Sequence, residues 1–410
     1  MENTGAPCHA GPPSTLNSTV AELSDLTAQC IRCGFCLESC PTFVITGDES
    51  QSPRGRIYLA RSWDEGVLPL SPEARAAIDT CVGCRACETA CPSAVKYGEI
   101  LELVRESFEL DGHNKPLLNQ LLDTLSNPGR LRFLLSLSRL FAIRKPPRWV
   151  GRLFSDQDTV FEIPVPGREK TWEPLNEADL PPIRGTVSLL EGCLMGVAYA
   201  DVHTATERLL RRIGFQTERV KGCCGALHAH NGKLKDGRRM AGALNPRHTL
   251  VTNSAGCGSW LKETIAGATV FDASEFLFEN GLTDELRASL GLPGLVATYH
   301  DACHLAHGQG VRSQPRDLLR AIPGLNLVPL AESDVCCGSG GVYNLLQPGM
   351  AKKMLDRKWR NVVQSAATVV ATGNPGCHAW IEQAARENGC QTTVVHTLSL
   401  LEASFSGNLD

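Results

Sequence analysis

Sixteen of the eighteen cysteines in this 410-residue chain fall into four groups whose spacing suits metal binding. Two groups share the spacing C-x2-C-x2-C-x3-C-P, which is typical of the ligation of [4Fe–4S] clusters. Zinc also binds four cysteines, but zinc ribbons use C-x2-C pairs separated by a longer loop. We therefore predict iron–sulfur ligation for both runs, which consist of Cys30, Cys33, Cys36 and Cys40, and of Cys81, Cys84, Cys87 and Cys91.

The fourth cysteine of each run is expected to ligate the cluster of the other run. Three cysteines spaced two residues apart wrap one corner of a cluster, and in two-cluster proteins the remaining ligand is the distal cysteine of the partner run. This assigns Cys91 to the cluster of the first run and Cys40 to the cluster of the second. Crossed ligation holds two [4Fe–4S] clusters close together, as fast electron transfer requires.

The other eight cysteines form two copies of a second pattern, each built around Cys-Cys-Gly. A lone cysteine pair is more often a pair of core thiols, but two copies with a cysteine at similar distances on both sides favour a metal or redox site. Gly225 and Gly338 are expected to let the backbone turn tightly there. The two sets of candidate cofactor-binding residues are Cys193, Cys223, Cys224 and Cys257, and Cys303, Cys336, Cys337 and Cys377.

Several histidines lie near the Cys-Cys-Gly groups, and their role is open at this point. They suit hydrogen bonding to metal ligands or proton transfer, and equally a satisfied polar position at the start of a helix. Cys8 lies in the N-terminal lead, and Cys390, just before the strand-like TTVVH, is expected to be a small buried hydrophobic residue. The histidines are His228, His230, His300, His304 and His307.

Residues 18–113 are expected to form an all-helical domain that holds both ferredoxin-type runs, after a disordered lead over 1–17. Between the runs, Ser52 and Pro53 precede an apolar-periodic stretch that predicts a helix, and a second helix is expected near Pro72 to Thr80. Residues 114–185 form a connector, helical over Leu117 to Leu140 and then extended, because prolines interrupt it.

The connector carries six arginines and Lys145 between Arg130 and Arg152, with no acidic residue among them. Two interpretations stay open for this stretch. It forms either a solvated helix face or a docking surface for an acidic partner or an anionic lipid.

The second half of the chain repeats itself over 186–290 and 291–402. VSLLEGCLMG parallels VATYHDACHLAH, and LVTNSAGCGSWL parallels VVATGNPGCHAWI. Short Val/Leu/Thr runs alternate with helical patterns, which predicts a small parallel or mixed sheet surrounded by helices in each copy. The predicted fold class is thus α+β multidomain: a helical two-cluster ferredoxin domain followed by two pseudo-symmetric α/β lobes.

Composition narrows the functional classes. The chain is 42% hydrophobic and 20% charged with a formal net charge of −4, so no basic field suggests nucleic acid binding. Metal-type cysteine spacing without an export signal favours the cytoplasm, and the best apolar stretch, Leu131 to Ile143, is too short to span a bilayer. Any membrane contact is expected to be peripheral, on the cytoplasmic face. With no dinucleotide fingerprint or P-loop, substrate oxidation is expected on another subunit, and no catalytic residue is assigned here.

These motifs together resemble the iron–sulfur subunit of bacterial glycolate oxidase. The resemblance rests on CIRCGFCLESCPTF, GDESQSPRGRIYL, CVGCRACETACPSAVKYG, GCCGALHAH, VCCGSGGVYNL and NPGCH, and it weakens through the connector. It implies a subunit with two [4Fe–4S] clusters that accepts electrons from an FAD-containing partner oxidising glycolate to glyoxylate. The electrons would then pass toward a membrane carrier.

One departure from the wider pattern keeps alternatives open. The full Cys-Cys-Gly motif ends in C-x2-C, whereas this chain has Ser254 and Asn374 at the first of those positions, so each repeat offers four cysteines instead of five. Whether the repeats hold a further iron–sulfur cluster is therefore left open. The alternatives are a thiol–disulfide reductase related to heterodisulfide reductase, an assembly scaffold, or an iron–sulfur subunit of a lactate or glycerol-3-phosphate dehydrogenase.

Overall fold

The computed structural model describes residues 17–69, 71–110, 116–141, 143, 145–155, 161–163 and 172–409. The N-terminal part is helical, and both ferredoxin-type runs lie in the loops between its helices. The helices are α1 (Asn17–Ala28), α2 (Pro41–Thr46), α3 (Pro53–Asp64), α4 (Pro72–Asp79), α5 (Ala86–Thr89) and α6 (Tyr97–Leu110).

The two helices predicted between the cysteine runs are confirmed, and both begin with the same local device. The Ser52 side chain accepts a hydrogen bond from the Gly55 N–H at 2.9 Å, and the Ser71 side chain accepts one from the Ala74 N–H. A proline follows each serine, where its fixed φ suits the first helical turn. Serine caps followed by proline thus determine where α3 and α4 start.

The connector contains three helices: α7 (Pro116–Ser126), α8 (Pro128–Leu140) and α9 (Arg148–Arg152). The predicted helical stretch is confirmed, with a break at Asn127 because Pro128 has no N–H to continue α7. The prediction that the second half is extended is wrong for α9. No proline lies inside α9, and Pro147 directly before it favours a helix start.

Two α/β lobes follow, and their strands and helices alternate as the repeat predicts. The first lobe comprises β1 (Gly185–Leu190), α10 (Leu194–Ala198), α11 (Ala200–Arg212), β2 (Phe215–Val220), α12 (Ala226–Ala229), α13 (Leu234–Gly242), β3 (Leu250–Thr252), α14 (Ala255–Thr264), β4 (Val270–Asp272), α15 (Ala273–Glu279) and α16 (Leu282–Arg287). The second comprises β5 (Val296–Tyr299), α17 (Gln314–Arg320), β6 (Asn326–Val328), α18 (Tyr343–Leu346), α19 (Pro348–Gln364), β7 (Val369–Thr372), α20 (Pro375–Glu387), β8 (Thr393–His396) and α21 (Thr397–Ser406).

The two sheets have the same topology. Their strand orders are β2-β1-β3-β4 and β6-β5-β7-β8, and every strand pair is parallel. The central strands β1, β3, β5 and β7 are almost wholly buried, as expected when helices cover both faces of a parallel sheet. The predicted α+β multidomain fold with pseudo-symmetric lobes is confirmed. The exact limits of the five predicted segments stay a prediction.

Polar contacts join the lobes to each other and to the helical domain. Arg208 and Arg212 both form ion pairs with Glu402, whose side chain is only 1% exposed. The Tyr343 hydroxyl donates to the Thr80 carbonyl at 2.8 Å. These contacts bring the loops that carry the four cysteine groups toward one region. Among the described residues, no helix combines the length and apolar composition needed to cross a bilayer.

Candidate metal centres

The first ferredoxin-type run and Cys91 lie around one small space. Cys30, Cys33, Cys36 and Cys91 all line a cavity of about 30 Å³. The Val95 N–H donates to the Cys91 Sγ at 3.4 Å, which orients the thiol that comes from the other run. Cys33 is exposed, whereas burial raises the pKa of the Cys36 thiol to about 11. This group of thiols therefore lies at the surface of the helical domain.

The second group is wholly buried. Cys40, Cys81, Cys84 and Cys87 are each at most 7% exposed. Burial raises the pKa of Cys87, and the neighbouring thiols Cys84, Cys81 and Cys40 raise it further. The structure thus brings Cys40 to the second run and Cys91 to the first. The thiols are arranged as crossed ligation requires.

Two arginines place positive charge beside the buried group. Arg56 is 1% exposed, and its guanidinium donates to the Ala77 carbonyl at 2.7 Å and lies 3.9 Å from the Cys40 Sγ. Arg105 donates to the Cys81 carbonyl at 2.7 Å. Burial opposes ionisation of Cys81, but Arg56 and Arg105 outweigh it and lower the pKa of this thiol. A buried cation beside four thiols favours an anionic centre.

The four cysteines of the first lobe lie in two close pairs. The Sγ atoms of Cys223 and Cys193 are 3.6 Å apart, and those of Cys224 and Cys257 are 3.2 Å apart; all four are free thiols. Hydrogen bonds from the thiols of Cys193 and Cys224 lower the pKa of Cys223. Gly225 follows with a φ of +87°, as predicted for a tight turn, and a Cβ there would collide with the Gly237 backbone.

The connector supports this first pair of cysteine positions. His228, 3% exposed, contacts the Ser126 hydroxyl at 3.3 Å and the Asp123 carboxylate at 3.1 Å. Both ring nitrogens of His228 are therefore satisfied by α7. Its role is structural, in line with the interpretation of these histidines as satisfied polar residues.

The four cysteines of the second lobe are all buried. The Sγ atoms of Cys303 and Cys336 are 3.9 Å apart, and the Gly338 N–H donates to the Cys336 Sγ at 3.4 Å. Gly338 has a φ of +88°, and a Cβ there would lie 2.6 Å from the Ala351 carbonyl oxygen. Only glycine fits that backbone conformation and that close approach.

His300 is the histidine nearest to these thiols. Its ring nitrogen and the Sγ atoms of Cys337 and Cys377 all lie within 4.8 Å of one another. His300 is fully buried, and burial lowers its pKa to about 3, so the ring is neutral.

Asn374 and Ser254, which stand where the longer motif has a cysteine, lie where the two lobes meet. The Asn374 side chain donates to the Cys377 Sγ at 3.5 Å and accepts from the Gly256 N–H of the first lobe at 3.2 Å. The Ala255 N–H donates to the Gly373 carbonyl at 3.1 Å. Asn374 is thus used to join the lobes beside the thiol site.

The remaining histidines make contacts between domains. His230 Nδ1 lies 2.8 Å from a Glu102 carboxylate oxygen, and its ring is 5.2 Å from that of His304. His304 Nδ1 lies 3.5 Å from the Cys303 Sγ. His307 contacts Thr89 of the helical domain at 3.0 Å. These rings line the seam between the helical domain and the second lobe.

One cavity of about 580 Å³ is lined by the cysteines of both lobes. It also reaches Cys81 of the helical domain and the inner faces of α7 and α8, including Leu118 and Leu135. The Cys84 thiol interacts electrostatically with Cys303 and Cys336. The buried ferredoxin-type group and the second lobe's group are therefore neighbours.

Sequence reasoning missed some of these residues and misplaced one. Arg56 is a functional candidate that it did not single out, because nothing local predicts that an arginine on α3 will be buried against Cys40. Cys390, expected to be buried, is exposed in the turn after α20, directly after Gly389 with its φ of +63°. Cys8 lies outside the described residues.

The donor sets fit iron–sulfur clusters. Four thiols from two separate runs converge twice in the helical domain, and one of these groups is buried beside a fixed cation. Thiolate is the ligand that iron–sulfur clusters prefer. Cysteine positions in the lobes also converge, with 3.2 to 3.9 Å between the closest sulfur atoms.

Comparison with protein families agrees with this arrangement. Residues 27–95 match the model of a 4Fe-4S dicluster domain. Residues 187–262 and 297–382 each match the model of a cysteine-rich domain. The chain therefore carries iron–sulfur clusters, and the prediction of this cofactor type is confirmed.

Relatives match over most of their length. The "Probable glycolate oxidase iron-sulfur subunit" of Bacillus subtilis is 30% identical, covering 91% of this chain and 92% of that protein. The glycolate oxidase iron–sulfur subunit of Escherichia coli is 28% identical, covering 95% and 97%. The fumarate reductase (CoM/CoB) of Methanothermobacter marburgensis contains a relative that is 27% identical, covering 92% and 72%.

Proposed function

The chain belongs to the family of glycolate oxidase iron–sulfur subunits and is an electron-transfer component of a dehydrogenase complex; we propose that this complex oxidises glycolate to glyoxylate. The oxidation releases two electrons and two protons on a partner subunit that holds FAD. This chain then conducts the electrons one at a time toward a membrane carrier. Its own residues bind and shield the centres and carry no substrate chemistry.

The proposed ligands follow the convergence of the thiols. Bound iron–sulfur clusters supply one-electron carriers at these positions. Arg56 and Arg105 stabilise the negative charge of the buried site. The ligand sets are Cys30, Cys33, Cys36 and Cys91 for the first cluster, and Cys40, Cys81, Cys84 and Cys87 for the second.

The observation that carries the proposal is the order of the cysteine groups from the surface inward. The first group includes the exposed Cys33, the second is buried, and its Cys84 lies beside Cys303 and Cys336 of the second lobe. Such a series supports electron entry at the exposed end and exit through the lobes. The cysteines of the lobes are accordingly proposed as the inner, cofactor-binding end of the path.

The entry face carries apolar side chains that suit a protein partner. Ile31 and Phe35, within the first cysteine run, are 67% and 70% exposed. Exposed apolar side chains in one small area mark interaction sites. We assign this face to the flavoprotein subunit, because electrons must enter at the exposed cluster.

The exit side carries a different surface, here called the connector patch: Phe133, Leu137, Leu140, Phe141, Ile143, Trp149 and Leu153, each between 37% and 76% exposed. Exposed Arg130, Arg132 and Lys145 flank these apolar residues. An apolar face with an aromatic and basic border suits the interface of an anionic membrane. The inner faces of the same helices line the large cavity that reaches the lobe cysteines, so an apolar carrier would have a route to them.

The experiment that tests the function is reduction of this chain by substrate in the reconstituted complex. The chain is purified anaerobically with its flavoprotein partner, and EPR spectra are recorded after adding glycolate, lactate or glycerol-3-phosphate. Glycolate-dependent reduction of two interacting [4Fe–4S] signals is expected. Reduction by lactate or glycerol-3-phosphate instead would assign the chain to one of those dehydrogenases.

One observation favours a second candidate, a thiol–disulfide reductase. The Sγ atoms of Cys224 and Cys257 are 3.2 Å apart, close enough to form a disulfide after a small movement. The variant Cys224→Ser distinguishes the two functions. It should abolish disulfide reduction in the second candidate. A scaffold role for the lobes, in contrast, predicts that Cys336→Ser leaves electron transfer and the complex intact.

A further inference from the structure

His300 lies at the carboxyl end of β5, directly before the loop to Cys303. Its side chain is fully buried, and its Nδ1 lies 3.0 Å from the Ser333 carbonyl oxygen. That contact places the proton on Nδ1, because a carbonyl oxygen only accepts. Nε2 is therefore an unprotonated acceptor, and no hydrogen-bond donor reaches it within the described residues. A buried lone pair without a partner is costly unless something binds it.

The surroundings of that lone pair are thiols. The ring nitrogen of His300 and the Sγ atoms of Cys337 and Cys377 lie within 4.8 Å of one another, the spacing of ligands around one metal ion. A histidine that donates its other ring N–H to a backbone carbonyl is the usual arrangement of a metal-bound imidazole. We propose that His300 is a metal ligand, so that the second lobe holds an iron centre with thiolates and one imidazole.

The proposal accounts for the missing cysteine of the second repeat. Asn374 occupies that position, but its amide is engaged by the Cys377 Sγ and the Gly256 N–H. His300 supplies a fifth donor from the opposite side, at the end of a different strand. The first repeat has Leu190 at the corresponding position, three residues before Cys193. Only the second repeat is therefore proposed to have mixed ligation.

A buried charge supports an anionic centre there. Lys358 is 2% exposed, and its ammonium group donates to the carbonyls of Glu332 and Ser333. The same Ser333 carbonyl accepts from His300. Lys358 thus holds both positive charge and the His300 ring in place near Cys337.

Imidazole ligation has a functional consequence for the proposed relay. Replacing anionic thiolate by neutral imidazole raises the reduction potential of an iron–sulfur centre. The second lobe would then be the electron-accepting end of the path, downstream of the all-cysteine clusters. This consequence rests on the proposed function, whereas the ligation itself does not.

The test compares His300→Ala, His300→Cys and a matched control, His396→Ala, in the full chain purified anaerobically. His396 is also a buried histidine at the end of a strand of the same sheet, but protein partners satisfy both of its ring nitrogens, at Asn253 and Leu398. Circular dichroism first establishes that each variant is folded. Iron, other metals and acid-labile sulfide per chain are then counted, and pulsed EPR is recorded on protein labelled with ¹⁵N-histidine.

The expected result is a loss of metal in His300→Ala, metal retained in His300→Cys, and no change in His396→Ala. The wild type should show coupling to a bound histidine nitrogen that both His300 variants lack. The inference is overturned if His300→Ala keeps the metal content and the EPR spectrum of the wild type, or if the wild type holds no metal beyond two [4Fe–4S] clusters. Reduction by glycolate is measured separately, so failure of the relay leaves this result unaffected.

Discussion

Arg56 is the single residue on which the charge of the buried ferredoxin-type site depends most directly. Its guanidinium touches Cys40 and also donates to Thr42 and Thr80 at 3.0 and 3.1 Å. These fixed contacts keep the cation in place without solvent to screen it. A buried positive charge stabilises the more negative, reduced state of an iron–sulfur cluster.

We expect Arg56→Gln to lower the midpoint potential of the buried cluster by about 60 mV or more, since roughly 1.4 kcal/mol corresponds to 59 mV for one electron. Redox titration followed by EPR measures this shift. Arg56→Lys, which keeps the charge, should shift it less. Arg61→Gln on the same helix, with its exposed ion pair to Glu65, is the control and should not shift it. A potential unchanged in Arg56→Gln would contradict the electrostatic role.

Phe35 is the residue most exposed on the proposed entry face. We expect Phe35→Ser to weaken binding of the flavoprotein subunit at least fivefold, about 1 kcal/mol, because buried aromatic anchors dominate interfaces. Binding is measured by calorimetry or by biolayer interferometry on the complex. Leu290→Ser removes another highly exposed apolar side chain, 73% exposed, far along the chain. Equal weakening by both variants would argue against a specific entry face.

At the scale of elements, the turn after each cysteine pair determines where the thiols point. Gly225 begins α12 and approaches α13 so closely that a methyl group would meet the Gly237 backbone. Gly267 has a similar φ of +76° but nothing within 4 Å. The pair separates the cost of the backbone conformation from the cost of the close approach.

Gly267→Ala should destabilise the protein by about 1 kcal/mol, the cost of a left-handed conformation. Gly225→Ala should cost roughly 3 kcal/mol or more, because the α12–α13 contact must also open. Denaturant unfolding of the two variants measures the difference. If both variants lose the same stability, the close approach at Gly225 has no energetic weight.

The junction of β4 and α15 predicts a pH dependence of stability. Asp272 caps α15 by accepting from the Ser274 N–H at 2.8 Å. Burial raises its pKa to about 6, and the nearby Glu275 adds to this, whereas Lys262, paired with Glu275 at 2.6 Å, opposes it. Because the pKa is raised on folding, the stability contribution is full below about 3.8 and is lost as the pH rises through 6.

Wild-type protein should therefore lose about 1 kcal/mol of stability through Asp272 between pH 5 and pH 7. Asp272→Asn keeps an acceptor for the cap but does not titrate, so it should gain stability relative to the wild type as the pH rises. Thermal unfolding at both pH values measures this double difference. A constant difference between variant and wild type would show that Asp272 does not titrate in this range.

At the scale of the whole molecule, the connector patch and the entry face lie on different elements. One face consists of loops around an exposed cluster, and the other consists of helices between the helical domain and the lobes. This separation suits a subunit that receives electrons from one component and delivers them to another.

We expect the full chain to bind vesicles that contain phosphatidylglycerol, and more weakly at high salt, since basic side chains flank the patch. Phe141→Ser combined with Trp149→Ser should lower vesicle partitioning at least tenfold, because each ring buries apolar area in the interface. Cosedimentation measures the bound fraction, with Leu290→Ser as control. Unchanged vesicle binding, or loss of the flavoprotein complex instead, would assign the patch to a protein partner.

Much of this protein is determined by local sequence. The two ferredoxin-type runs, the Cys-Cys-Gly pairs and the repeat specify their cysteines because ligand spacing, strand periodicity and serine–proline caps act over a few residues. The α3 and α4 starts and the identical sheet orders of the lobes follow from such signals. The relay could therefore be proposed from sequence.

Tertiary structure decided which of these groups meet. That Arg56 lies against Cys40, that Cys84 faces Cys303, and that His300 turns its free nitrogen toward Cys377 depend on residues far apart in the chain. Cys390, predicted to be buried from its apolar surroundings in sequence, is exposed because a left-handed glycine turns the chain outward before it. Such contacts arise from how the helical domain and two lobes pack around one cavity, and no local pattern encodes that packing.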